Sequence, residues 1–260
     1  MIQSILNKKR IAQSFRKSLD TYNQYAIVQD HICTKLIHEL LDHCGTQFLQ
    51  TLEIGAGTGL LTAKLLEQCS ITKFIINDLV VETEGNLSKL CQAHRNIEVE
   101  FIMGDAEKLQ FRAYNNLIIS ASTVQWFENL PSFFEKMQSI LTTNGIFAFT
   151  TFGMYNMKEI TSIEGNSLNY SPLSDLRDIL AEKFEILWIM EEQISLYFST
   201  PKEILQHIKR TGVNGIESTH WTKNDLIQFS NDYNQFYTTD KGYSLTYHPV
   251  YVICKHKTKN

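Results

Sequence analysis

Proline is scarce in this chain, with four in 260 residues, and glycine reaches only twelve. That leaves little material for long linkers or for a sandwich of many short strands and tight turns. The five cysteines (Cys33, Cys44, Cys69, Cys91 and Cys254) are odd in number and scattered, with no C-x-x-C pair. Such a set argues against a disulfide framework or a zinc ribbon and reads as reduced thiols. Positive charge is not in excess: the formal net charge is −4, which speaks against an extended nucleic-acid surface. The opening "MIQSILNKKR" has no apolar h-region, and no run approaches membrane-spanning length. A cytoplasmic protein without membrane contact is expected. What is present, 43% hydrophobic and 20% charged residues, belongs to a globular chain able to bury a substantial core.

One metal motif is approached and missed. "HELLDHC" begins like the zinc-protease signature, but His-Glu-x-x-His requires histidine where Asp42 stands, and His43 points to another helix face. An ordinary helix and no metal site are expected.

The N-terminal segment to about Leu41 is helical in pattern, with Ile11, Phe15, Leu19 and Tyr22 recurring at three- and four-residue intervals. Strand and helix then alternate. "FLQTLEI" is strand-like and "GLLTAKLLEQC" helical; "KFIIND" and "ETEGNLSKLCQAH" repeat the pair; "VEFIMG" and "NNLIIS" are further strands. "LPSFFEKMQSILTTNG" reads as an amphipathic helix closed by a glycine, and "IFAFTTF" as the next strand. Beyond Phe152 come a helix ("SDLRDILAE"), two strands ("FEILWIMEE", "ISLYF"), two helices ("PKEILQHIKRTG", "TKNDLIQFSNDYNQFY") and a last strand, "LTYHPVYVICK". The alternation predicts an α/β fold, a doubly wound parallel sheet with helices on both faces. One domain is expected: an N-terminal helical part (residues 1–41), a cofactor-binding half (48–152), and a C-terminal half (153–260) with helical insertions.

The chemistry concentrates in "LEIGAGTGLL". A phosphate-binding Walker loop would place Lys-Ser/Thr after the glycines, where Leu60 and Leu61 stand; the dinucleotide fingerprint would need glycine at position 60. Gly55, Gly57 and Gly59 instead allow close backbone approach without a lysine for phosphate. Glu53 precedes them inside the strand end, Asp78 ends the second strand, and Asp105 follows the third. A carboxylate at the end of strand two can take both ribose hydroxyls, and one after strand three can accept from an adenine amino group. An acid beside the glycines suits an ammonium or sulfonium and repels pyrophosphate. Taken singly, each glycine fits a tight turn and each Asp a helix cap; three acids at successive strand ends point to S-adenosylmethionine.

With these residues the segment resembles the class I, Rossmann-like S-adenosylmethionine-dependent methyltransferases. That resemblance implies a seven-stranded sheet with an antiparallel last strand, here "LTYHPVYVICK". It also implies cofactor contacts from Tyr22, Glu53, Gly55, Ala56, Gly57, Asp78, Leu79, Asp105, Ala106 and Ser120. "RIAQSFRKSLDTYNQYAIVQ", "STVQWFENL", "IKRTGVNG" and "YSLTYHPVYVI", in that order, are similar to the malonyl-[acyl-carrier protein] O-methyltransferase family of biotin biosynthesis. "VVETEGN" after Asp78 departs from that family's usual small-residue turn.

This second resemblance implies methylation of the free carboxyl of malonyl-acyl carrier protein, with malonyl-coenzyme A as the other carrier to consider. A monomer is expected, with residues 1–41 as a lid. A carboxylate is ionised at neutral pH, so no general base is required. Substrate positioning falls to Tyr22, Gln125, Trp126, Tyr247 and His248. Each has an ordinary alternative: Tyr22 as packing, Trp126 as core, His248 as a satisfied structural histidine. Lys8, Lys9, Arg10, Arg16 and Lys17, or Lys209 with Arg210, would dock an acidic carrier protein or simply form solvated faces. The alternative functions are methylation of another small carboxylate or metabolite, non-catalytic cofactor binding and, more distantly, a nicotinamide-dependent oxidoreductase.

Overall fold

The computed structural model describes residues 7–94, 96–165, 168, 170–212 and 222–257. Two helices, α1 (Lys8–Tyr25) and α2 (Ile27–Cys44), lead into β1 (Gln47–Ile54), α3 (Leu60–Gln68), β2 (Ser70–Asn77), α4 (Glu84–Gln92) and β3 (Glu98–Phe101). The second half of the alternation is β4 (Asn115–Ser120), α5 (Leu130–Ile140), β5 (Leu141–Phe152), α6 (Lys158–Glu164), α7 (Leu173–Lys183) and β6 (Phe184–Glu191). It is followed by β7 (Ile194–Phe198), α8 (Pro201–Arg210), α9 (Lys223–Phe236), β8 (Thr238–Thr239), β9 (Gly242–Tyr247) and β10 (Pro249–His256).

Seven strands form the main sheet in the order β3-β2-β1-β4-β5-β10-β6. β10 runs antiparallel to both neighbours, whereas the β1–β2, β1–β4, β2–β3 and β4–β5 pairs are parallel. Strand order reverses between β1 and β4, and a crevice therefore opens beyond their carboxyl ends. The last four residues of β1 and of β2 are all buried, as expected of central strands covered on both faces. One face packs Ile32, Leu36, Leu40, Leu65, Phe74 and Leu117 under α2 and α3. The other is built on phenylalanines: Phe147 and Phe149 stack at 4.8 Å between ring centroids, with Phe133 and Phe134 of α5 beside them. Full burial of each such ring stabilises by about 1.5–3 kcal/mol.

Three expectations change. The N-terminal helical pattern is two helices, broken at Ala26, whose ψ of 42° leaves the helical region. The amphipathic helix stops at Ile140 rather than at Gly145, because the Asn115 side chain takes the Ile140 carbonyl at 3.0 Å and Leu141 pairs with Asn115. Gly145 then lies inside β5, where a Cβ would meet the Asn115 carbonyl at 2.8 Å. The last predicted strand is two. β9 joins β7 and β8 in a separate three-stranded sheet, and only β10 enters the main one. The break falls at His248, whose backbone N–H donates to Asn156 Oδ1 and whose carbonyl accepts from Gly153, so it leaves both ladders before Pro249. The end of "IKRTGVNG", residues 213–215, lies outside the described residues.

Among the described residues no helix is long and apolar enough to cross a membrane. All five cysteines stand free. His38, Glu39 and Asp42 of the "HELLDHC" helix gather on α2, but His38 and Asp42 are 71% and 60% exposed, an ordinary solvated i,i+4 pair.

Candidate active site

The glycine loop leaves β1 with Gly55 at φ 73° and Gly57 at φ 56°, a left-handed conformation that costs other residues about 1–2 kcal/mol each. The two glycines serve different needs. A Cβ on Gly55 would lie 2.1 Å from Thr123 Oγ1, so glycine there lets β1 and the turn after β4 touch. A Cβ on Gly57 would meet nothing within 4 Å, leaving the backbone open to a cavity.

That cavity occupies the crevice beyond β1 and β4 and encloses about 1050 Å³ of space, its mouth included. Its walls come from the glycine loop, from Asp78, Leu79 and Val80 after β2, and from Gly104, Asp105 and Ala106 after β3. Ser122, Thr123 and Trp126 after β4 complete the rim, while Ile11, Phe15, Leu19 and Tyr22 of α1 cross over it.

The acids are held firmly. Asp78 accepts from the Gly57 N–H and the Val80 N–H, both at 2.7 Å. Burial raises its pKa, and these two backbone donors oppose that rise. The Asn77 side chain donates to the Ile102 and Gly104 carbonyls at 2.6 and 3.0 Å, stitching the loops after β2 and β3 together. Asp105 accepts from Lys8 Nζ at 2.6 Å, and the same ammonium reaches Glu107. Burial opposes the Lys8 charge, but the two carboxylates outweigh it and lift its pKa. Glu53 is 1% exposed; one oxygen accepts from Thr62 Oγ1 at 2.8 Å, and the other, Oε1, has no partner among the described residues. Burial, reinforced by the nearby Asp78 charge, pushes its pKa up to about 8. A buried carboxyl with a vacant oxygen beside a cavity is matched by a cationic group.

Of the residues expected at the site, Tyr22, Gly55, Ala56, Gly57, Asp78, Leu79, Asp105, Ala106 and Trp126 line the cavity. Glu53 stands behind them. Four lie elsewhere. The Ser120 hydroxyl donates to the Ile54 carbonyl at 2.8 Å, tying β4 to β1. Gln125 donates to the Ser122 carbonyl at 2.6 Å. Tyr247 is fully buried, with His207 Nε2 2.9 Å from its hydroxyl, and burial lowers the His207 pKa to about 4. His248 accepts from the Tyr155 N–H through Nδ1, and its Nε2 faces Glu191 at 3.2 Å, so both ring nitrogens serve the structure.

Other residues escaped the sequence reading. Lys136 of α5 donates to the Ala106, Glu107 and Leu109 carbonyls and so fixes the loop bearing Asp105. Glu107 accepts from the Glu128 and Asn129 backbone N–H groups at 3.1 and 3.0 Å, joining that loop to the start of α5. Gln29, Cys33 and Ser122 also line the cavity. No spacing rule would have found them; Ser122 opens the quoted "STVQWFENL" and Gln29 closes the quoted "RIAQSFRKSLDTYNQYAIVQ", so these two stood close to a signal.

The seven-stranded sheet with one antiparallel strand and a ligand crevice at its reversal point is the class I methyltransferase fold. The methyltransferase domain family matches residues 52–149. A methyltransferase-like structure from Bacillus halodurans superposes with a TM-score of 0.64 at 15% identity, covering 87% of this chain and 99% of that one. The N-methyltransferase NodS of Bradyrhizobium japonicum, crystallised with S-adenosyl-L-homocysteine, superposes at 0.58 with 14% identity over 96% and 100%. Sequence relatives narrow the class. The malonyl-[acyl-carrier protein] O-methyltransferase of Bacteroides thetaiotaomicron is 38% identical over 97% of this chain and 99% of its own. That of Acinetobacter baylyi is 36% identical over 96% and 97%. The chain belongs to the malonyl-[acyl-carrier protein] O-methyltransferase family.

Proposed function

We propose that this chain methylates the free carboxylate of malonyl-acyl carrier protein, with S-adenosylmethionine as donor. The observation that carries the reading is near-full-length similarity to enzymes of that name, joined to a cavity whose donor set fits the cofactor. The vacant Glu53 Oε1 suits an ammonium. The open side of Gly57 suits a ligand chain passing close to backbone. Asp78, held by two amides, keeps lone pairs for ribose hydroxyls, and Asp105 with Ala106 suits an adenine edge. The cofactor supplies an electrophilic methyl group.

The protein's part is to aim and to dry. Burial raises the Tyr22 pKa well above its ordinary value, so the phenol stays protonated and serves as a wall or donor, not a base. No base is needed, because the acceptor is already an anion. Holding the reactants in line can contribute about 7–11 kcal/mol. We assign shielding to α1 as a lid: Ile11, Phe15 and Leu19 bring apolar surface to the mouth, and Phe15 meets Trp126 edge-on at 6.2 Å. The lid's polar contacts include Lys8 with Asp105 and Glu107, Arg16 with Glu82 at 2.7 Å, Asn23 with Thr58 at 2.5 Å, and the Thr21 hydroxyl donating to the Arg210 carbonyl at 3.3 Å.

The test is methyl transfer to malonate, malonyl-coenzyme A, malonyl-acyl carrier protein and acetyl-acyl carrier protein. The carrier-protein malonyl thioester should gain one methylene of mass, removable by saponification, and the acetyl thioester nothing. Free malonate should react far more slowly, because the remote carrier contacts are missing. Equal turnover of malonate and the carrier thioester would make this a small-acid methyltransferase; cofactor binding without turnover would leave a binding protein.

A further inference from the structure

The cavity contains an unusual set of unsatisfied atoms. Among its lining residues, three carry buried side-chain polar atoms without a partner among the described residues: Gln29 Oε1, Ser122 Oγ and Trp126 Nε1. Gln29 Oε1 can only accept. Ser122 Oγ–H and Trp126 Nε1–H can donate, and an indole N–H can do nothing else. Buried donors without acceptors are rare and costly, so two of them in one turn ask for a ligand that accepts twice. A carboxylate does so.

We propose that Ser122 and Trp126 grip the acceptor carboxylate, each donating one hydrogen bond to it. The proposal rests on the methyltransferase reading above and deepens it, naming the groups that recognise the malonyl end. Three further observations support it. Both residues lie in the turn leaving β4, beside the glycine loop, since Thr123 of the same turn is in contact with Gly55. The Ser122 backbone is held in a left-handed conformation, φ 52°, which a serine seldom adopts. Two bonds enforce it: the Ser122 N–H donates to Thr150 Oγ1 at 2.8 Å, and its carbonyl accepts from Gln125 Nε2 at 2.6 Å. Gln125 is thereby a positioning residue that acts through Ser122. Trp126 is 7% exposed and backed by Phe15 of α1, so its N–H is shielded from water with the lid in place.

The cations of the site are otherwise engaged. Lys8 is the one lysine or arginine among the lining residues, and it is bound to Asp105 and Glu107. Neutral donors suit this reaction. The acceptor's charge disappears as the ester forms, and a cation would stabilise the ground state more than the transition state. Two neutral donors replace the water the carboxylate sheds without pinning its charge, and they hold the uncharged ester more weakly, which favours release.

The experiment compares Ser122→Gly and Trp126→Phe with the wild type. Glycine suits the left-handed backbone, and phenylalanine keeps an aromatic ring against Phe15, so both variants should fold and bind S-adenosylhomocysteine as the wild type does. With that compound present, wild-type protein should bind malonyl-loaded carrier protein at least tenfold more tightly than acetyl-loaded carrier protein. In each variant the preference should fall at least threefold, and turnover on malonyl-acyl carrier protein should fall at least tenfold. Wild-type turnover with an undiminished malonyl preference in both variants would overturn the grip and leave the function standing. A wild-type protein with neither turnover nor malonyl preference would overturn both.

Discussion

The two sides of the cavity are built by different means. On the sheet side, the acid after β2 is fixed by backbone amides, the loops after β2 and β3 are stitched by Asn77, and the loop after β3 is clamped by Lys136. On the α1 side, the contacts include ion pairs, a short polar pair at Asn23 and Thr58, a hydroxyl bond from Thr21 to the Arg210 carbonyl of α8, and rings meeting edge-on. Amide bonds inside a packed sheet are lost only by local unfolding, whereas an ion pair such as Arg16–Glu82, with both side chains more than two-fifths exposed, contributes little. The difference is that the floor is fixed by backbone hydrogen bonds within the sheet, whereas the α1 side is held by side-chain contacts, which is what the lid proposed above requires.

The strongest way to break the floor is Gly57→Val. The substitution forces a β-branched residue into a left-handed backbone and fills the space kept open beside it, so S-adenosylhomocysteine binding should be lost in calorimetry. A folded variant that binds normally would mean the loop is only a turn.

Glu53→Gln should have an intermediate effect, and it shows in pH dependence. The folded-state pKa of Glu53, about 8, lies above the ordinary 4.5. Its contribution to stability is therefore fully present below pH 4.5 and is lost as pH rises through 8. Thermal melts of the ligand-free wild type should fall over that window relative to Glu53→Gln. Ligand binding near pH 7.5 should release a proton as the carboxyl ionises against the ammonium, measurable by calorimetry in buffers of different ionisation enthalpy. Equal proton release in Glu53→Gln would assign the proton to another group.

The smallest effect belongs to the cover. Lys8→Gln should speed hydrogen exchange over residues 8–25 while leaving S-adenosylhomocysteine affinity within about threefold, because the Asp105 loop keeps its own anchor in Lys136. Unchanged exchange would mean that the other contacts of α1 retain it without Lys8.

The floor was legible in the sequence because its determinants are local. Three glycines in five residues and acids at strand ends are short-range signals, and the parallel sheet with helices on both faces follows from alternation and handedness. The cover and the acceptor end were less so. Ser122, Thr150 and Gln125 act together only because β4 and β5 are neighbours, and Lys136 reaches a loop 27 to 30 residues earlier. Tyr247 and His248 were expected at the site from their likeness to a family motif; neither lines the cavity, and they bond to His207, Tyr155 and Glu191, with Tyr247 also meeting Gln29 of the cavity wall. The second sheet was missed because one apolar run, "LTYHPVYVICK", conceals a change of partners at a single histidine.

Lys136 carries a consequence for anyone altering this protein. Its ammonium sits over the Phe111 ring at 5.2 Å and reaches the loop behind Asp105, while its helix is rooted in the phenylalanine cluster that Ala106 and Phe111 also join. Repacking that cluster, even with residues of equal volume, would shift the far end of a lever whose near end bears on the Asp105 side of the pocket. Engineering for heat tolerance and tuning of cofactor preference are therefore one problem at α5.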